Sequence, residues 1–108
     1  MTKTLDVHIL DLSCGRPAAN VSLRVENFIN EQWIPIATKN TDNDGRASDL
    51  VPVDKWEPGR WRIIYDIASY MSDGFYPSIT IEFCTKDTAY YHVPLLLNKF
   101  GYSTYRGS

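Results

Sequence analysis

The sequence predicts an all-β domain with the architecture of an antiparallel β-sandwich. Three observations favour this fold: apolar residues alternate with polar ones at a period of two, the alternating segments are short, and clusters of Gly, Pro, Asn and Asp separate them. Such alternation turns one face of each strand toward a core and the other face outward. The 108 residues suit one domain, 1–108, which is long enough to bury a core.

Seven segments have the strand pattern, and an eighth, very short strand can begin at Arg46. In chain order the seven segments are TLDVHILD, NVSLRVENF, QWIPIATK, RWRIIYDI, PSITIEFC, AYYHVPLLL and GYSTYRG. In the first segment Leu5, Val7 and Ile9 share one face, and His8 lies on the other. Pro35 in the third segment predicts an edge strand or a bulge, because proline has no N–H to donate to a ladder.

Turn-forming residues occupy the gaps between these segments. SCGRPAAN, NDGR and EPGR carry the residues that chain reversal requires, and FINEQW can close a hairpin between the second and third strands. The segment ASYMSDG, residues 68–74, predicts the one short helix of the fold, about two turns long and ended by Gly74.

Composition excludes several kinds of partner. The net charge is −2 and the sequence contains no basic stripe, which argues against nucleic acid and against an anionic membrane surface. No apolar run approaches the roughly 18 residues of a membrane span. The start of the chain has no secretory signal pattern, so we expect a cytoplasmic protein if Met1 is its natural start, and a periplasmic one if a signal was removed.

Cys14 and Cys84 are the only cysteines of the chain. Their spacing matches no metal-binding or redox motif. We expect two reduced thiols, and a single disulfide bridge between them is the alternative.

Both histidines of the chain lie on outer faces of predicted strands. His8 and His92 can be unrelated surface or interface residues, or they can act together as general acid and base, since histidine titrates near neutral pH. A metal site is a third alternative. However, no His-x-x-x-His or Cys-x-x-Cys spacing supplies the three or four ligands that zinc needs, so we expect no metal.

Two further features bear on a site. Arg46 follows the NDG turn, where an arginine can be a solvated turn residue or can direct two N–H donors at a carbonyl or a developing anion. In AYYHVPLLL both alternating sets are apolar, one containing Val93 and the other Pro94 and Leu96. A sandwich covers only one of these faces from within, so the other predicts contact with another subunit.

Three segments of the chain carry a family resemblance: LDVHILDLSCGRPAANV, TDNDGR and YHVPLLLNKFGYSTYRGS. They resemble the transthyretin-related proteins and, within them, the 5-hydroxyisourate hydrolases. The resemblance covers nearly the whole chain, and HVPLLL and the terminal YRGS are its most specific parts. It implies a transthyretin-like sandwich of two four-stranded sheets. It also implies a homotetramer whose subunits meet through outer sheet faces and enclose a channel with an active site at each end.

The activity that the resemblance implies is the hydrolysis of 5-hydroxyisourate, a product of urate oxidation, without a cofactor. Water opens the ring at an amide bond and gives 2-oxo-4-hydroxy-4-carboxy-5-ureidoimidazoline. The alternative is a carrier of an aromatic small molecule, because the hormone carrier transthyretin shares this fold. A scaffold protein without a small-molecule ligand is the third interpretation.

The resemblance also implies roles for particular residues. One histidine would activate the water while the other orients it or donates a proton, and Arg46 would hold the heterocycle and offset charge on the attacked oxygen. Arg106 would either bind substrate or fix the tail by pairing with an acid. Alternation along the tail predicts that Tyr105 projects into the channel and makes it shallow. The implied catalytic set is His8, Arg46, His92 and Ser108, and the implied substrate-binding set is Tyr105, Arg106, Gly107, Pro94 and Leu96.

Overall fold

Two β-sheets packed face to face make up the protein in a computed structural model that describes residues 3–108. The strands in chain order are β1 (Leu5–Asp11), β2 (Arg16–Pro17), β3 (Ser22–Ile29), β4 (Gln32–Asn40), β5 (Arg46–Ala47), β6 (Gly59–Asp66), β7 (Ser78–Thr85), β8 (Tyr91–Leu97) and β9 (Tyr102–Thr104). One short 3-10 turn, Val53–Lys55, is the helical element of this part of the chain. No helix within residues 3–108 is long and apolar enough to cross a membrane.

Sheet A has the order β2-β1-β8-β9, with β5 also paired to β1, and sheet B has the order β4-β3-β6-β7. The predicted all-β sandwich is therefore confirmed. Sheet A has five strands where four were expected, because β2 and β5 pair with different parts of the same edge of β1. One pair also departs from the expected antiparallel arrangement, since β1 and β8 run parallel.

The core lies between the inner faces of the two sheets. Burial of each large apolar side chain stabilises the fold by about 1.5–3 kcal/mol. Among the described residues, the largest fully buried side chains include Trp61, Tyr65, Leu5, Ile9 and Leu95, which come from both sheets. The alternation of the sequence thus predicted the buried faces of β1, β3, β6 and β7 correctly.

The β3–β4 hairpin forms where the sequence predicted it. Asn30 and Glu31 make its two-residue turn, and both have positive φ, of 52° and 65°. Pro35 lies on the edge strand β4 and pairs with Glu26, whereas the residue before Glu26 pairs with Ala37, so the register shifts by one residue here. Both expectations for this proline, an edge and a bulge, are confirmed.

The predicted helix over 68–74 is wrong, because this segment forms successive turns. Tyr70 and Met71 both donate their N–H to the carbonyl of Ile67, and no regular helix follows. The Asp66 carboxylate accepts hydrogen bonds from the N–H and the hydroxyl of Ser69. Asp and Ser side chains that bond the local backbone in this way compete with helix formation.

Cys14 and Cys84 are both exposed and both free. Cys14 lies in the turn between β1 and β2, and Cys84 lies on β7. This arrangement agrees with the interpretation of two reduced thiols.

Candidate active site

The strand register of sheet A brings the predicted catalytic side chains together. His8 pairs with Arg46 across β1 and β5, and with Pro94 across β1 and β8. Two residues before His8 on the same strand, Asp6 pairs with His92 across β1 and β8. Paired residues of neighbouring strands project to the same face of a sheet. All five residues therefore share the face of sheet A that is turned away from sheet B, which we call the outer face.

Arg46 is held on this face by the tight turn that precedes it. The Asp42 carboxylate accepts hydrogen bonds from the N–H groups of Asp44, at 2.8 Å, and Arg46, at 3.0 Å. Gly45 has a φ of 74°, and a Cβ there would overlap the carbonyl oxygen of Ile9, so the turn needs glycine at this position. The N–H of Arg46 is thereby fixed, while its side chain stays exposed on the outer face.

The C-terminal tail returns to the outer face and packs against His92. The N–H of Gly107 donates to the backbone carbonyl of His92 at 2.8 Å. A Cβ at Gly107 would overlap Cδ2 of the His92 ring and would lie 3.3 Å from Cγ of Pro94. Gly107 thus lies directly on the imidazole, and the hydroxyl of Ser108 follows one residue later.

His92 is tuned toward its neutral form. Burial lowers the pKa of the imidazole below its ordinary value of 6.5, and the nearby His8 and Arg46 lower it further, while Asp6 opposes them. The Nδ1 atom of His92 is buried and has no hydrogen-bond partner among residues 3–108. Because its pKa is lowered, this histidine is uncharged at neutral pH, and a neutral imidazole can accept a proton.

Asp6 and Tyr90 complete the surroundings of His92, although the sequence analysis gave them no role. The Tyr90 hydroxyl donates to Asp6 at 3.0 Å, and its ring lies nearly parallel to that of His92, at an interplanar angle of 19° and a centroid distance of 6.4 Å. Asp6 also accepts the N–H of Asp49 at 2.8 Å and is buried. The available signal was spacing, since Asp6 precedes His8, and Tyr90 precedes His92, by two residues along a strand.

Arg106 lies apart from the two histidines. Its guanidinium carbon is 4.3 Å from the centroid of the Tyr91 ring. Tyr91 alternates with His92 along β8 and is buried toward the core, so Arg106 is on the opposite side of this strand from the imidazole. This contact is a cation–π interaction, whereas the sequence left open whether Arg106 binds substrate or fixes the tail by pairing with an acid.

Tyr105 lies just beyond the end of β9 and is 58% exposed. With Arg106 it borders a cleft of about 320 Å³ between β7 and the tail, lined also by Phe83 and Val93. The register places Leu96 on the outer face beside Leu10 of β1, and both are half-buried. The surface next to the histidines is therefore apolar.

No group of three or more His, Cys, Asp or Glu side chains in the described part of the chain is placed to hold a metal ion. The chemistry that this cluster can support is that of a neutral imidazole, a second imidazole and a guanidinium on one face. These groups suit proton transfer and the stabilisation of a developing negative charge.

The sandwich is that of a transthyretin-like protein. Sea bream transthyretin in complex with thyroxine has the same fold, with a TM-score of 0.91 and 29% identity over 96% of this chain and 94% of that chain. The chain belongs to the HIUase/Transthyretin family, whose model matches residues 5–107.

Several curated relatives carry the name 5-hydroxyisourate hydrolase, among them a bacterial and a mouse protein. The protein of Salmonella dublin is 43% identical over 96% of this chain and 80% of its own length. The mouse protein is 36% identical over 96% of this chain and 94% of its own length. The similarity therefore extends over nearly the whole domain.

Proposed function

We propose that this protein is a 5-hydroxyisourate hydrolase that acts in urate degradation. The observation that carries the proposal is the grouping of His8, Arg46 and His92 on one face of sheet A, in a chain 43% identical to a protein of that name. The reaction adds water across a ring amide and gives 2-oxo-4-hydroxy-4-carboxy-5-ureidoimidazoline. No cofactor is required, because a positioned water and the side chains of the site supply the needed proton transfers.

His92 is the general base in this proposal. Its lowered pKa keeps the ring neutral at pH 7, so it can take a proton as the water oxygen attacks the carbonyl carbon. The imidazolium then donates this proton to the leaving nitrogen of the substrate when the C–N bond of the amide breaks. This step restores the neutral imidazole. His8, beside Arg46 in the ladder, orients the water and the substrate.

Arg46 stabilises the negative charge that forms on the attacked oxygen. Its guanidinium is permanently charged and presents several N–H donors in a planar arrangement. Removal of a single donor to such an oxyanion costs about 10²–10³ in kcat in other hydrolases. The turn that fixes the backbone of Arg46 limits the positions that this donor can adopt.

The tail and the apolar residues of the outer face bind the substrate. Ser108 contributes its hydroxyl, next to the glycine that packs on His92. Substrate contacts are assigned to Gly107, Pro94, Leu96 and Tyr105. We assign Arg106 to fixing the tail, because its guanidinium lies on the Tyr91 ring.

The assembly we propose is a homotetramer in which subunits meet through the outer face of sheet A. Leu10 and Leu96 are apolar on this face, and Leu12, which follows β1, is 44% exposed. An apolar sheet face with a polar site is a surface that a second copy of the chain can cover. The substrate would then bind between subunits, where water is partly excluded.

We place the enzyme in the cytoplasm. The two free, exposed thiols of Cys14 and Cys84 suit a reducing compartment. Fractionation of the native cells, followed by detection of the protein, tests this location.

The decay of 5-hydroxyisourate tests the proposed activity. Urate oxidase generates the compound from urate in the cuvette, and ultraviolet absorbance follows its disappearance with and without the protein. Acceleration over the spontaneous rate that His92→Asn abolishes is the expected result. Decay at the spontaneous rate with the wild-type protein would contradict the proposal.

A carrier is the second candidate function, because the fold matches a transthyretin structure that contains thyroxine. Calorimetric titration with thyroxine distinguishes the two functions. Tight binding without hydrolysis would favour the carrier.

A further inference from the structure

We propose that Asp6 and Tyr90 are positioning residues that hold the His92 ring in the orientation needed for proton transfer. The inference rests on the proposed function, since it assumes that His92 reacts with water. It concerns residues outside the sets of groups assigned to catalysis or substrate binding above. It also predicts a property of His92 that can be measured without any substrate.

The His92 ring lacks the hydrogen bond that usually orients a catalytic imidazole. Its Nδ1 atom is buried and has no partner in the described part of the chain. Catalytic histidines are commonly fixed by an acceptor at the second ring nitrogen. Packing holds the ring instead: Gly107 lies on the Cδ2 side, and the Tyr90 ring lies nearly parallel to the imidazole, at 19° and a centroid distance of 6.4 Å.

The Tyr90 side chain must itself be fixed if it is to hold the His92 ring. The residue is 39% exposed, so packing alone leaves its side chain free to change rotamer. Its hydroxyl donates to Oδ2 of Asp6 at 3.0 Å, and a carboxylate is a strong acceptor. This hydrogen bond restricts the tyrosine ring to the position beside His92.

Asp6 is itself rigidly placed. It is buried on β1 directly across the ladder from His92, and its Oδ1 accepts the N–H of Asp49 at 2.8 Å. Asp49 has a positive φ of 50° and lies three residues after Arg46. The same carboxylate thus links the support of His92 to the loop that follows Arg46.

The charge of Asp6 also acts on the imidazole. Among the described residues, the titratable or charged groups that face His92 are Asp6 and His8 from β1, Arg46 from β5, and Tyr90, which immediately precedes β8. Asp6 raises the pKa of His92, whereas burial, His8 and Arg46 lower it. Loss of the Asp6 charge should therefore move the His92 titration to lower pH.

A purely structural role for the pair makes different predictions. If Asp6 and Tyr90 only stabilise the fold, substitution of Tyr90 lowers the melting temperature and leaves kcat unchanged in protein that is still folded. The chain provides a matched control in a second tyrosine–aspartate pair, since the Tyr70 hydroxyl donates to the Asp11 carboxylate at 2.7 Å. The Asp11 carboxylate is not among the groups that shift the pKa of His92.

The first experiment is a proton NMR titration of the histidine rings. The chain has only two histidines, so the spectrum of His8→Asn identifies the His92 signal. In Asp6→Asn the midpoint of the His92 titration should fall relative to wild type, and in Asp11→Asn it should not change. An unchanged midpoint in Asp6→Asn, in a protein that is still folded, overturns the electrostatic part of the inference.

The second experiment measures turnover of Tyr90→Phe, Tyr90→Leu and Tyr70→Phe. Because a small misplacement of a catalytic group can cost up to about a hundredfold in rate, we expect kcat to fall about tenfold in Tyr90→Phe and further in Tyr90→Leu, with KM changed less. Tyr70→Phe should keep the wild-type kcat. Wild-type kcat in both Tyr90 variants overturns the positioning role.

The two experiments separate failure of the inference from failure of the proposed function. If wild-type protein does not hydrolyse 5-hydroxyisourate, the function is wrong. The NMR titration then still shows whether the charge of Asp6 raises the pKa of His92. Melting temperatures of all variants identify any substitution that acts by unfolding the domain.

Discussion

Gly107 lies so close to the ring of His92 that any larger residue at position 107 would displace one of the two. A Cβ there would meet Cδ2 and, at 3.1 Å, Cγ of the imidazole. The contact joins the last turn of the chain to a strand in the middle of sheet A. It fixes the segment after β9 against the imidazole.

Gly107→Ala should therefore lower activity far more than stability. The added methyl group moves the tail or rotates the His92 ring, and a shift of about 1 Å can cost up to about a hundredfold in rate. The tail contributes little core, so the melting temperature should change by less than about 4 °C. Steady-state kinetics and thermal unfolding measure the two effects.

Gly101→Ala is the matched control for this substitution, since a Cβ at Gly101 would meet no atom within 4 Å. It should keep wild-type kcat. Equal loss of activity in both variants would indicate a general effect of the tail and would contradict the specific contact with His92.

The pH dependence of turnover should reflect the lowered pKa of His92. Burial, together with His8 and Arg46, lowers this pKa below 6.5, so the general base stays neutral into mildly acidic solution. We expect kcat/KM to be level around neutral pH and to fall only below pH 6.5, as the imidazole gains a proton. A fall that begins well above pH 6.5 would contradict His92 as the neutral base.

The same shift has a consequence for stability. The unfolded chain binds a proton at this histidine more readily than the folded chain, so stability rises with pH between the folded pKa and 6.5. In His92→Asn this part of the pH dependence should be missing. Melting temperatures of both proteins across this range measure the difference.

Sequence patterns predicted much of this site and left out specific parts of it. A period of two assigned His8 and His92 to outer faces, because alternation determines the face of each residue. It carries no information on which strands are neighbours or which way they run. The parallel pairing of β1 with β8, which puts Asp6 beside His92, was therefore not predictable.

One error has a local physical cause. The helix expected over 68–74 failed because the Asp66 and Ser69 side chains bond the turn itself, which competes with helical hydrogen bonding. For Arg106 the sequence left substrate binding and pairing with an acid open, and it did not indicate the aromatic ring of Tyr91, from another strand, on which the guanidinium lies. Such tertiary contacts are decided by neighbours far away in the sequence.

Replacement of Arg46 by alanine or by lysine should lower kcat. Arg46→Ala removes the charge and the donors, and we expect kcat to fall by about 10²–10³. Arg46→Lys keeps the charge but loses the planar set of donors, so it should recover only part of the rate. Full activity in the lysine variant would show that charge alone is sufficient, in contradiction to the proposed geometry.

Tyr70→Phe should destabilise the domain without affecting catalysis. Burial of Asp11 would raise its pKa, but hydrogen bonds from Ser13 and Tyr70 outweigh this effect and hold the pKa below 3.8. Loss of a hydrogen bond to a charged group costs about 1.5–3 kcal/mol of the free energy of unfolding, which lowers the melting temperature by at least about 5 °C.

The stability lost in Tyr70→Phe should depend on pH, which gives a second test of the hydrogen bond to Asp11. Because the folded pKa of Asp11 is depressed, its stabilising contribution is present above pH 3.8 and disappears as the pH falls through the folded pKa. The melting temperatures of wild type and Tyr70→Phe should therefore converge in strongly acidic solution. A constant difference at every pH would argue against the ionised carboxylate as the partner of Tyr70.

Leu96→Glu tests whether the outer face of sheet A is covered by a second copy of the chain. Leu96 is half-buried beside Leu10, and a carboxylate there would be desolvated in a subunit contact but solvated in a free domain. We expect light scattering to find a tetramer for wild type and a smaller species for the variant, each with intact β-structure by circular dichroism. Turnover should fall with assembly, since the proposed site lies in the same contact.

Phe100→Glu is the control, because Phe100 is exposed on the loop before β9, and this variant should keep the wild-type mass. A wild-type monomer with full activity would contradict both the tetramer and the need for a neighbouring subunit at the site.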